Sequence, residues 1–386
     1  MKSHRIASAL ALPLVIAPAL ADGAFYGDPP DATHPWAIHD MNRPQPPRVE
    51  PGTFSDQNTP GTPPSDAIVL FDGSSQSLSN WQADKNPPEA TQWIAKDGVL
   101  QCVPGSGMIR TKEEFSDCQL HVEWASPLES EGNSQGRGNS GVFLMGEVEI
   151  QVLNNYDNPT YADGFAGSVY GVNPPMANAL RKTGEWQAYD IVFRRPVYEG
   201  DQLVDPGHLT VFCNGVLLQD GTPLEGGGGH RARSHDRPFP ETGPLKLQDH
   251  GNPVRFRNIW IRPLPKRAIE GGDTSVMTPE ATAAKRSEIA QEIRSKAATK
   301  EGKDKLLLLL ESLTYERDPE ALKEASTMVA KFADHLKAMS EDKLEGIKGD
   351  VLQVNHALQY LTHFELAEFK QTDEILQLVK KREWDK

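Results

Sequence analysis

Between residues 66 and 264 the chain consists of short runs in which apolar and polar residues alternate. Because successive side chains of a strand point to opposite faces, such runs predict strands with one buried and one exposed face. Glycine, asparagine and aspartate separate the runs, as expected of tight turns. The runs are 67–71, 98–103, 119–124, 140–144, 148–153, 186–194, 208–213, 245–248 and 254–261. The pattern therefore predicts a mainly β domain, a sandwich of antiparallel strands over 66–264.

The composition changes at a linker over 265–279, after which glycine becomes rare and alanine, leucine, lysine and glutamate dominate. Thr278, Pro279 and an acidic first turn predict the start of a helix. Helical periodicity then recurs through 281–296, 303–312, 319–337, 351–362 and 366–381. We predict a small all-α bundle over 280–386, which serves docking, self-association or a protein partner. The five leucines at 306–310 are too few to span a bilayer and predict a buried core helix.

The N-terminus predicts a signal peptide over residues 1–21. A short basic start precedes an apolar run, and a small-x-small triplet ends at Ala21. A membrane anchor is the alternative, but the run is short, contains Pro13 and Pro18, and no later stretch is long and apolar enough to span. We therefore expect a periplasmic or secreted protein with no transmembrane segment after cleavage.

Residues 22–65 hold ten prolines and predict an extended arm. Its aromatic residues Phe25, Tyr26 and Trp36 are expected to pack along the domain that follows.

The charge of the chain argues against nucleic acid as a partner. The formal net charge is −14, and no cluster of lysine or arginine alternates with aromatic residues. The three cysteines show no metal-binding spacing. They allow either a disulfide between Cys102 and Cys118 or buried free thiols.

The most informative run is the segment 146–153, in which acidic and amide side chains share one face. That face carries Glu147, Glu149 and Gln151, and the other face is apolar. Long polar side chains on one face of a sandwich are typical of a carbohydrate-binding cleft, although a solvated outer face gives the same pattern. A retaining glycosidase would need two carboxyl groups about 5 Å apart, and the third alternating position is an amide. Ordinary glycoside hydrolysis is therefore disfavoured.

The turns beside this strand are rich in compact polar residues. Asn139 precedes it, and Gln248-Asp249-His250 leads into a glycine turn further along the chain. A histidine next to an aspartate beside a polar-faced sheet is a candidate for acid/base or metal chemistry.

An ordered set of motifs now runs along the β region: Leu70-Phe71-Asp72-Gly73, Asp97-Gly98-Val99-Leu100, Asn139-Ser140-Gly141-Val142-Phe143, Glu149-Ile150-Gln151-Val152-Leu153, Gly167-Ser168-Val169-Tyr170-Gly171, Gly184-Glu185-Trp186 and Gln248-Asp249-His250-Gly251. As a set it resembles the 3-keto-disaccharide hydrolase domain family. The resemblance implies a concanavalin A-like jelly-roll β-sandwich over 66–264.

The resemblance also implies cleavage of glycosides that are already oxidised to a ketone at sugar carbon 3. The ketone acidifies the C2 proton, a base removes it, a hydrogen-bonding or positive group stabilises the enediolate, and the C1 substituent departs. Water then adds to the unsaturated sugar, so the net result is hydrolysis.

On this basis the catalytic residues are expected to be Glu149 or His250 as the base, with Asp249 orienting His250. A divalent metal ion held by Glu149 and His250 is the possible cofactor, as an enediolate stabiliser. The expected contacts to the carbohydrate substrate are Asn139, Gln151 and Gln248 as hydrogen-bonding groups, Tyr170 and Trp186 as ring-stacking walls, and Glu185 and Arg257.

Two other functions stay open at this point. A non-catalytic, lectin-like module of the same fold would bind sugar without forming product. An ordinary glycoside hydrolase would act on unoxidised oligosaccharides.

Overall fold

A computed structural model describes residues 25–41, 43–226, 229–232, 237–272 and 276–384. The expected signal peptide at 1–21 lies outside these residues. The chain divides into two compact units, one spanning 47–265 and the other made of the N-terminal residues up to 46 together with 266 onward.

The unit at 47–265 is built from β-strands joined by tight turns. The strands are β1 Ile68–Phe71, β2 Trp81–Ala83, β3 Ile94–Lys96, β4 Val99–Gln101, β5 Ile109–Phe115, β6 Cys118–Ala125, β7 Ser140–Leu144, β8 Val148–Val152, β9 Gln187–Arg194, β10 Val197–Glu199, β11 Gln202–Asp205, β12 His208–Cys213, β13 Val216–Pro223, β14 Gly243–Leu247 and β15 Arg255–Pro263. All of their pairings are antiparallel.

Two sheets form the sandwich. The five-stranded sheet has the order β2-β5-β14-β7-β8, and the eight-stranded sheet has the order β13-β12-β9-β6-β15-β4-β3 with β1 paired to β15. Asn214 and Gly215 connect β12 to β13 with φ values of 53° and 82°. Two successive positive φ values suit the tight hairpin turns that Asn-Gly pairs favour.

Alternate residues of the two sheets form one apolar core. Val142 and Ile150 of the five-stranded sheet belong to it together with Val122, Ile191 and Phe256 of the eight-stranded sheet, and all five are fully buried. Burial of each such side chain contributes about 1.5–3 kcal/mol, so the core stabilises the sandwich on which the site is built. The predicted sandwich is confirmed.

The three cysteines belong to this unit and are buried free thiols. Burial raises the pKa of Cys118 and of Cys213 to about 12. Of the two alternatives that the sequence allowed, the structure has free thiols.

The described residues of the second unit form six helices, and the predicted helical character of the C-terminal region is confirmed. They are α1 Pro279–Ala297, α2 Gly302–Tyr315, α3 Pro319–Ala338, α4 Glu341–Gly346, α5 Lys348–His363 and α6 Thr372–Lys381. The hydroxyl of Thr278 accepts the backbone N–H of Ala281 at 3.2 Å, which confirms the predicted N-cap of α1. Leu306, Leu309 and Leu310 are buried in the helical core, as the leucine run predicted.

The N-terminal part of the proline-rich arm packs differently from the expectation. Phe25 contacts Tyr360 with ring centroids 5.6 Å apart, and Trp36 contacts Tyr315 at 5.9 Å. These aromatic side chains therefore pack on the C-terminal helices rather than on the domain that follows in sequence. Large apolar rings gain most where a preformed apolar groove accepts them, and sequence order does not reveal which domain offers it.

Within the described residues, no helix combines the length and the apolar character that crossing a bilayer requires.

Candidate active site

The candidate site lies on the outer face of the five-stranded sheet. In the register of β7 and β8, Glu149 is paired with Phe143 and Gln151 with Gly141. Val148, Ile150 and Val152 point into the core, so Glu149 and Gln151 project from the opposite face. The alternation that the sequence indicated therefore places both polar side chains outside the core.

A short segment extends this face beyond the edge strand β8. Val169 forms an antiparallel bridge with Ile150, and the N–H of Tyr170 donates to the carbonyl of Glu149 at 3.1 Å. Because Val169 points into the core, Ser168 and Tyr170 lie on the outer face beside Gln151 and Glu149 respectively. Two rows of side chains thus cross the sheet, one that contains Glu149 and Tyr170 and one that contains Gln151 and Ser168.

Glu149 is the titratable group most perturbed in these rows. Burial alone raises the pKa of its carboxyl to about 8, and none of the described residues donates a hydrogen bond to it. Gly141 provides the space that the carboxylate occupies, because a Cβ at residue 141 would stand closer to Glu149 Oε1 than van der Waals contact permits. A buried carboxylate without a counter-charge is a strong base whenever it is ionised.

Gln135 fixes the orientation of two neighbouring amides. Its Nε2 donates to the carbonyl of Gly164 at 2.9 Å, so its Oε1 faces the site and accepts from Gln151 Nε2 at 2.7 Å and from Asn139 Nδ2 at 3.3 Å. Asn139 Nδ2 also donates to the backbone carbonyl of Gln135 at 2.7 Å. Backbone carbonyls accept only, so this chain determines which end of each amide is oxygen.

The consequence is a set of buried acceptor atoms without partners. Asn139 Oδ1 and Gln151 Oε1 are buried and accept no hydrogen bond from any residue that the structure describes, and their side chains are only 3% and 1% exposed. Gln248 follows β14, donates its N–H to the carbonyl of Gly141 at 3.0 Å, and carries a third such oxygen, Oε1. Unsatisfied buried acceptors call for an explanation, and a ligand rich in hydroxyl donors would satisfy them.

The structure does not pair Asp249 with His250. The carboxylate of Asp249 accepts the backbone N–H of Gly107 at 2.8 Å and that of Gly251 at 2.9 Å, and the side chain of His250 is exposed. The expectation that Asp249 orients His250 is therefore corrected. Neighbours in a turn need not face each other, because the turn aims this carboxylate at backbone donors instead.

A second correction concerns the three residues Glu185, Trp186 and Arg257. Trp186 directly precedes β9, and Arg257 lies on β15 opposite Glu123, so both belong to the eight-stranded sheet. Arg257 is 5% exposed and stacks over the Trp186 ring at 4.4 Å. Glu185 caps its own turn by accepting the N–H of Lys182 at 3.0 Å. The core separates the outer faces of the two sheets, so these residues do not join Glu149.

Arg257 instead takes part in a buried ionic cluster on that other face. Its Nε donates to Glu123 Oε2 at 2.7 Å, and His121 lies 3.3 Å from Glu123 Oε1 and 2.7 Å from Asp190. Burial opposes both charges, but the hydrogen bonds outweigh it. They raise the pKa of His121 to about 9 and lower the pKa of Glu123 to about 2.

The later part of the arm, within 47–65, is held on this cluster. The hydroxyl of Ser55 donates to Glu123, and the carbonyl of Asp56 accepts from Arg257. Gln57 exchanges two hydrogen bonds with the backbone of Trp186, at 2.7 and 2.9 Å. This part of the arm is therefore an ordered strap of the sandwich.

Sequence reasoning missed several residues of the site face. Lys246 lies in the row of Glu149, opposite Phe143, and its Nζ is 2.9 Å from Asp84 Oδ2. Its alternation with the buried Leu245 and Leu247 was the available signal. Gln135, in contrast, reaches the site from a 3₁₀ turn, for which the sequence offers no periodic signal.

The described residues provide no set of ligands for the divalent metal ion that the resemblance implied. Across the part of the chain that the structure describes, no three or more His, Cys, Asp or Glu side chains converge as in a metal site. Of the two residues expected to hold a metal ion, Glu149 lies within the sheet and His250 lies on an exposed turn.

A sandwich with a perturbed carboxylate and a row of amide oxygens on one sheet is an arrangement that suits a carbohydrate-active protein. The model of the 3-keto-α-glucoside-1,2-lyase-like domain matches residues 66–262, about half of the chain. The chain belongs to this family.

Two relatives illustrate the likeness. A 3-keto-disaccharide hydrolase of Bacteroides thetaiotaomicron is 25% identical over 248 residues, which cover 51% of this chain and 78% of the relative. The crystal structure of a proposed glycosyl hydrolase from Parabacteroides distasonis is 42% identical with a TM-score of 0.55, and covers 59% of this chain and 95% of its own.

Proposed function

We propose that the chain is an exported enzyme that cleaves 3-keto-glycosides, including 3-keto-disaccharides, by elimination followed by addition of water. The observation that carries the proposal is the half-buried carboxylate of Glu149, which lies on the same face as three amide oxygens; none of the described residues donates a hydrogen bond to any of these groups. The name of the Bacteroides relative supports the same substrate class.

Glu149 is the base of this reaction. Its ionised carboxylate takes the proton from C2 of the sugar, whose acidity the C3 ketone increases, and the electron pair moves into an enediolate. When that pair returns to form the C1–C2 double bond, the C1–O bond breaks and the leaving oxygen takes a proton. A base with a pKa near the working pH combines basicity with availability, and burial gives Glu149 this property.

The amide oxygens bind and orient the ring. Sugar hydroxyls donate hydrogen bonds, and no described residue donates to Asn139 Oδ1, Gln151 Oε1 or Gln248 Oε1. Because Gln135 holds two of these amides, their orientation is fixed before substrate binds, although the buried oxygens must become accessible to it. Addition of water across the C1–C2 double bond, with the proton returned from Glu149 to C2, completes a net hydrolysis.

Direct displacement by a carboxylate pair has less support on this face. The cross-strand neighbours of Glu149 are Phe143 and Tyr170, and its neighbours along the strand are Gln151 and Glu147, of which only Glu147 is a carboxyl group. The Glu147 carboxylate pairs with Arg237, whereas a retaining mechanism needs two carboxyl groups about 5 Å apart that both act on the sugar.

The test compares a 3-keto disaccharide with its unoxidised parent, following released sugar by chromatography, with and without a chelator. The variants are Glu149→Gln, His250→Ala and, as a matched control, Glu147→Gln, whose carboxylate pairs with Arg237. We expect cleavage of the keto sugar alone, lost in Glu149→Gln and retained in Glu147→Gln. Sugar binding without product from either substrate would favour the lectin-like alternative, and cleavage of the parent would favour an ordinary glycosidase.

Export is part of the proposal. A cleaved signal at 1–21 would give a mature chain that begins at Asp22 and is found in the periplasm or medium. Cell fractionation with N-terminal sequencing tests it, and an unprocessed cytoplasmic chain would contradict it.

Self-association through the helical region is tested by light scattering of the full chain and of a chain that ends at residue 265.

A further inference from the structure

Tyr170 stands across from Glu149 with its hydroxyl held by two groups. Its Oη lies 2.8 Å from Tyr161 Oη and 3.2 Å from Nδ1 of His230. The N–H of Tyr170 donates to the carbonyl of Glu149, so the two side chains are direct cross-strand neighbours on one face. The Tyr170 phenol is therefore hydrogen-bonded to two groups that can exchange protons, Tyr161 and His230.

The same residues line a large cavity beside the site. Its volume is about 750 Å³, and its walls include Tyr161, Asp163, Tyr170, His230 and Arg231. The cavity is far larger than a water-sized void, and both polar and apolar groups line it. Its position at the Tyr170 end of the row gives space for a substituent of the sugar ring.

Elimination from a glycoside requires two proton transfers at different atoms. One removes the proton at C2, and the other supplies a proton to the oxygen that leaves C1. Glu149 carries the C2 proton at the moment when the C1–O bond breaks, so a separate donor serves the leaving oxygen better. An alkoxide without such a donor is a poor leaving group.

On the basis of the function proposed above, we propose that Tyr170 is the general acid for the leaving oxygen, and that the cavity beside it receives the leaving group. As the C1–O bond breaks, its electron pair goes to the leaving oxygen, and that oxygen takes the proton of Tyr170. His230, with Tyr161 in the same hydrogen-bonded chain, passes a proton from water to the tyrosinate. The proton that Glu149 removed returns to C2 when hydroxide from water adds at C1, so the atoms balance.

The test separates departure of the leaving group from proton removal at C2. Methyl and 4-nitrophenyl 3-keto-glucosides differ strongly in how much their leaving oxygen needs a proton. Exchange of the C2 proton with deuterium, followed by NMR on 3-keto-glucose, needs no leaving group. The variants are Tyr170→Phe and His230→Gln, and Tyr156→Phe replaces an exposed tyrosine as the control.

We expect Tyr170→Phe to lower kcat/KM for the methyl glycoside about 10²–10⁴-fold. For the 4-nitrophenyl glycoside the loss should stay within about tenfold, and C2 exchange should match the unmodified enzyme, because Glu149 is untouched. His230→Gln should give the same pattern with a smaller loss, and it decides the question if Tyr170→Phe does not fold. Tyr156→Phe should change nothing.

Three results would overturn the assignment. They are an equal loss for both leaving groups, loss of C2 exchange in Tyr170→Phe, and no loss at all. The first two would place Tyr170 in the proton-abstraction step. If the unmodified enzyme neither exchanges the C2 proton nor cleaves either 3-keto-glucoside, the proposed function itself fails, which is a different result from all three.

Discussion

The carboxylate of Glu149 lies where a side chain at Gly141, on the adjacent strand, would begin. The absence of a Cβ at this position is therefore what allows the carboxyl group to lie against the neighbouring strand, where it is only partly exposed to water. Burial in turn raises the pKa of Glu149 to about 8. One glycine thus determines both the position and the basicity of the proposed base.

Replacing Gly141 with alanine should displace the carboxylate while the sandwich still folds. The groups that must move are side chains, the carboxylate of Glu149 and the ring edge of Phe143. We therefore expect stability to fall by about 1–2 kcal/mol and kcat/KM to fall about 10–100-fold, since small misplacements of a catalytic group are costly. Gly349→Ala, where the added methyl meets open space on a helix, is the control. Unchanged kinetics in Gly141→Ala would contradict the role of this contact.

Glu149→Gln should stabilise the folded protein at neutral and alkaline pH. The carboxyl has a pKa of about 8 when folded against an ordinary value of 4.5, so folding favours its protonated form. Its contribution to stability is complete below pH 4.5 and is lost as pH rises towards 8. The neutral amide escapes this loss, and we expect a gain of about 1–3 kcal/mol at pH 8 and little difference at pH 4.5. Urea unfolding at both pH values measures it.

The same group should shape the pH dependence of the proposed reaction. Because the base must be ionised, kcat/KM for a 3-keto-glycoside should rise with pH and level off above about 8. A rate that is flat from pH 5 to 9 would show that a different base acts. In Glu147→Gln the profile should be unchanged.

The sequence predicted the sandwich, the helical region and the face of Glu149 and Gln151, because strand alternation is a local property that core burial enforces. It failed where distant segments meet. Trp186 and Arg257 were expected beside Glu149, but no local pattern reveals which of the two sheets a strand joins. Asp249 was expected to face His250, and the aim of a side chain in a turn depends on backbone donors far away in sequence.

Gln135→Leu should weaken substrate binding more than the chemical step. Leucine has a similar size but cannot accept from Gln151, so that amide loses the hydrogen bond that presents its oxygen to the ligand, whereas Asn139 keeps its bond to the backbone carbonyl of residue 135. We expect KM to rise about tenfold with kcat within about threefold, since a lost hydrogen bond is worth roughly 0.5–1.5 kcal/mol. Gln202→Leu, on an exposed hairpin, is the control. A fall in kcat alone would contradict a positioning role.

On the other face of the sandwich, His121 should make stability fall with rising pH. Its folded pKa of about 9 exceeds the ordinary 6.5, so its contribution is complete below pH 6.5 and is lost as pH rises through 9. Glu123, with its pKa lowered to about 2, contributes fully above pH 4.5 and loses its contribution as pH falls through 2. The cluster that holds the arm should therefore be strongest between pH 4.5 and 6.5.

The measurement is urea unfolding of the wild-type protein and of His121→Gln at pH 6 and pH 9.5, together with the imidazole pKa from NMR. We expect wild type to lose about 2 kcal/mol relative to the variant between these pH values, because each unit of pKa shift is worth about 1.4 kcal/mol and part of it is screened. Cleavage of 3-keto-glycosides at pH 6 should be the same in both proteins, since the core separates His121 from Glu149. A selective loss of activity in His121→Gln would mean that the two faces of the sandwich are coupled through the core.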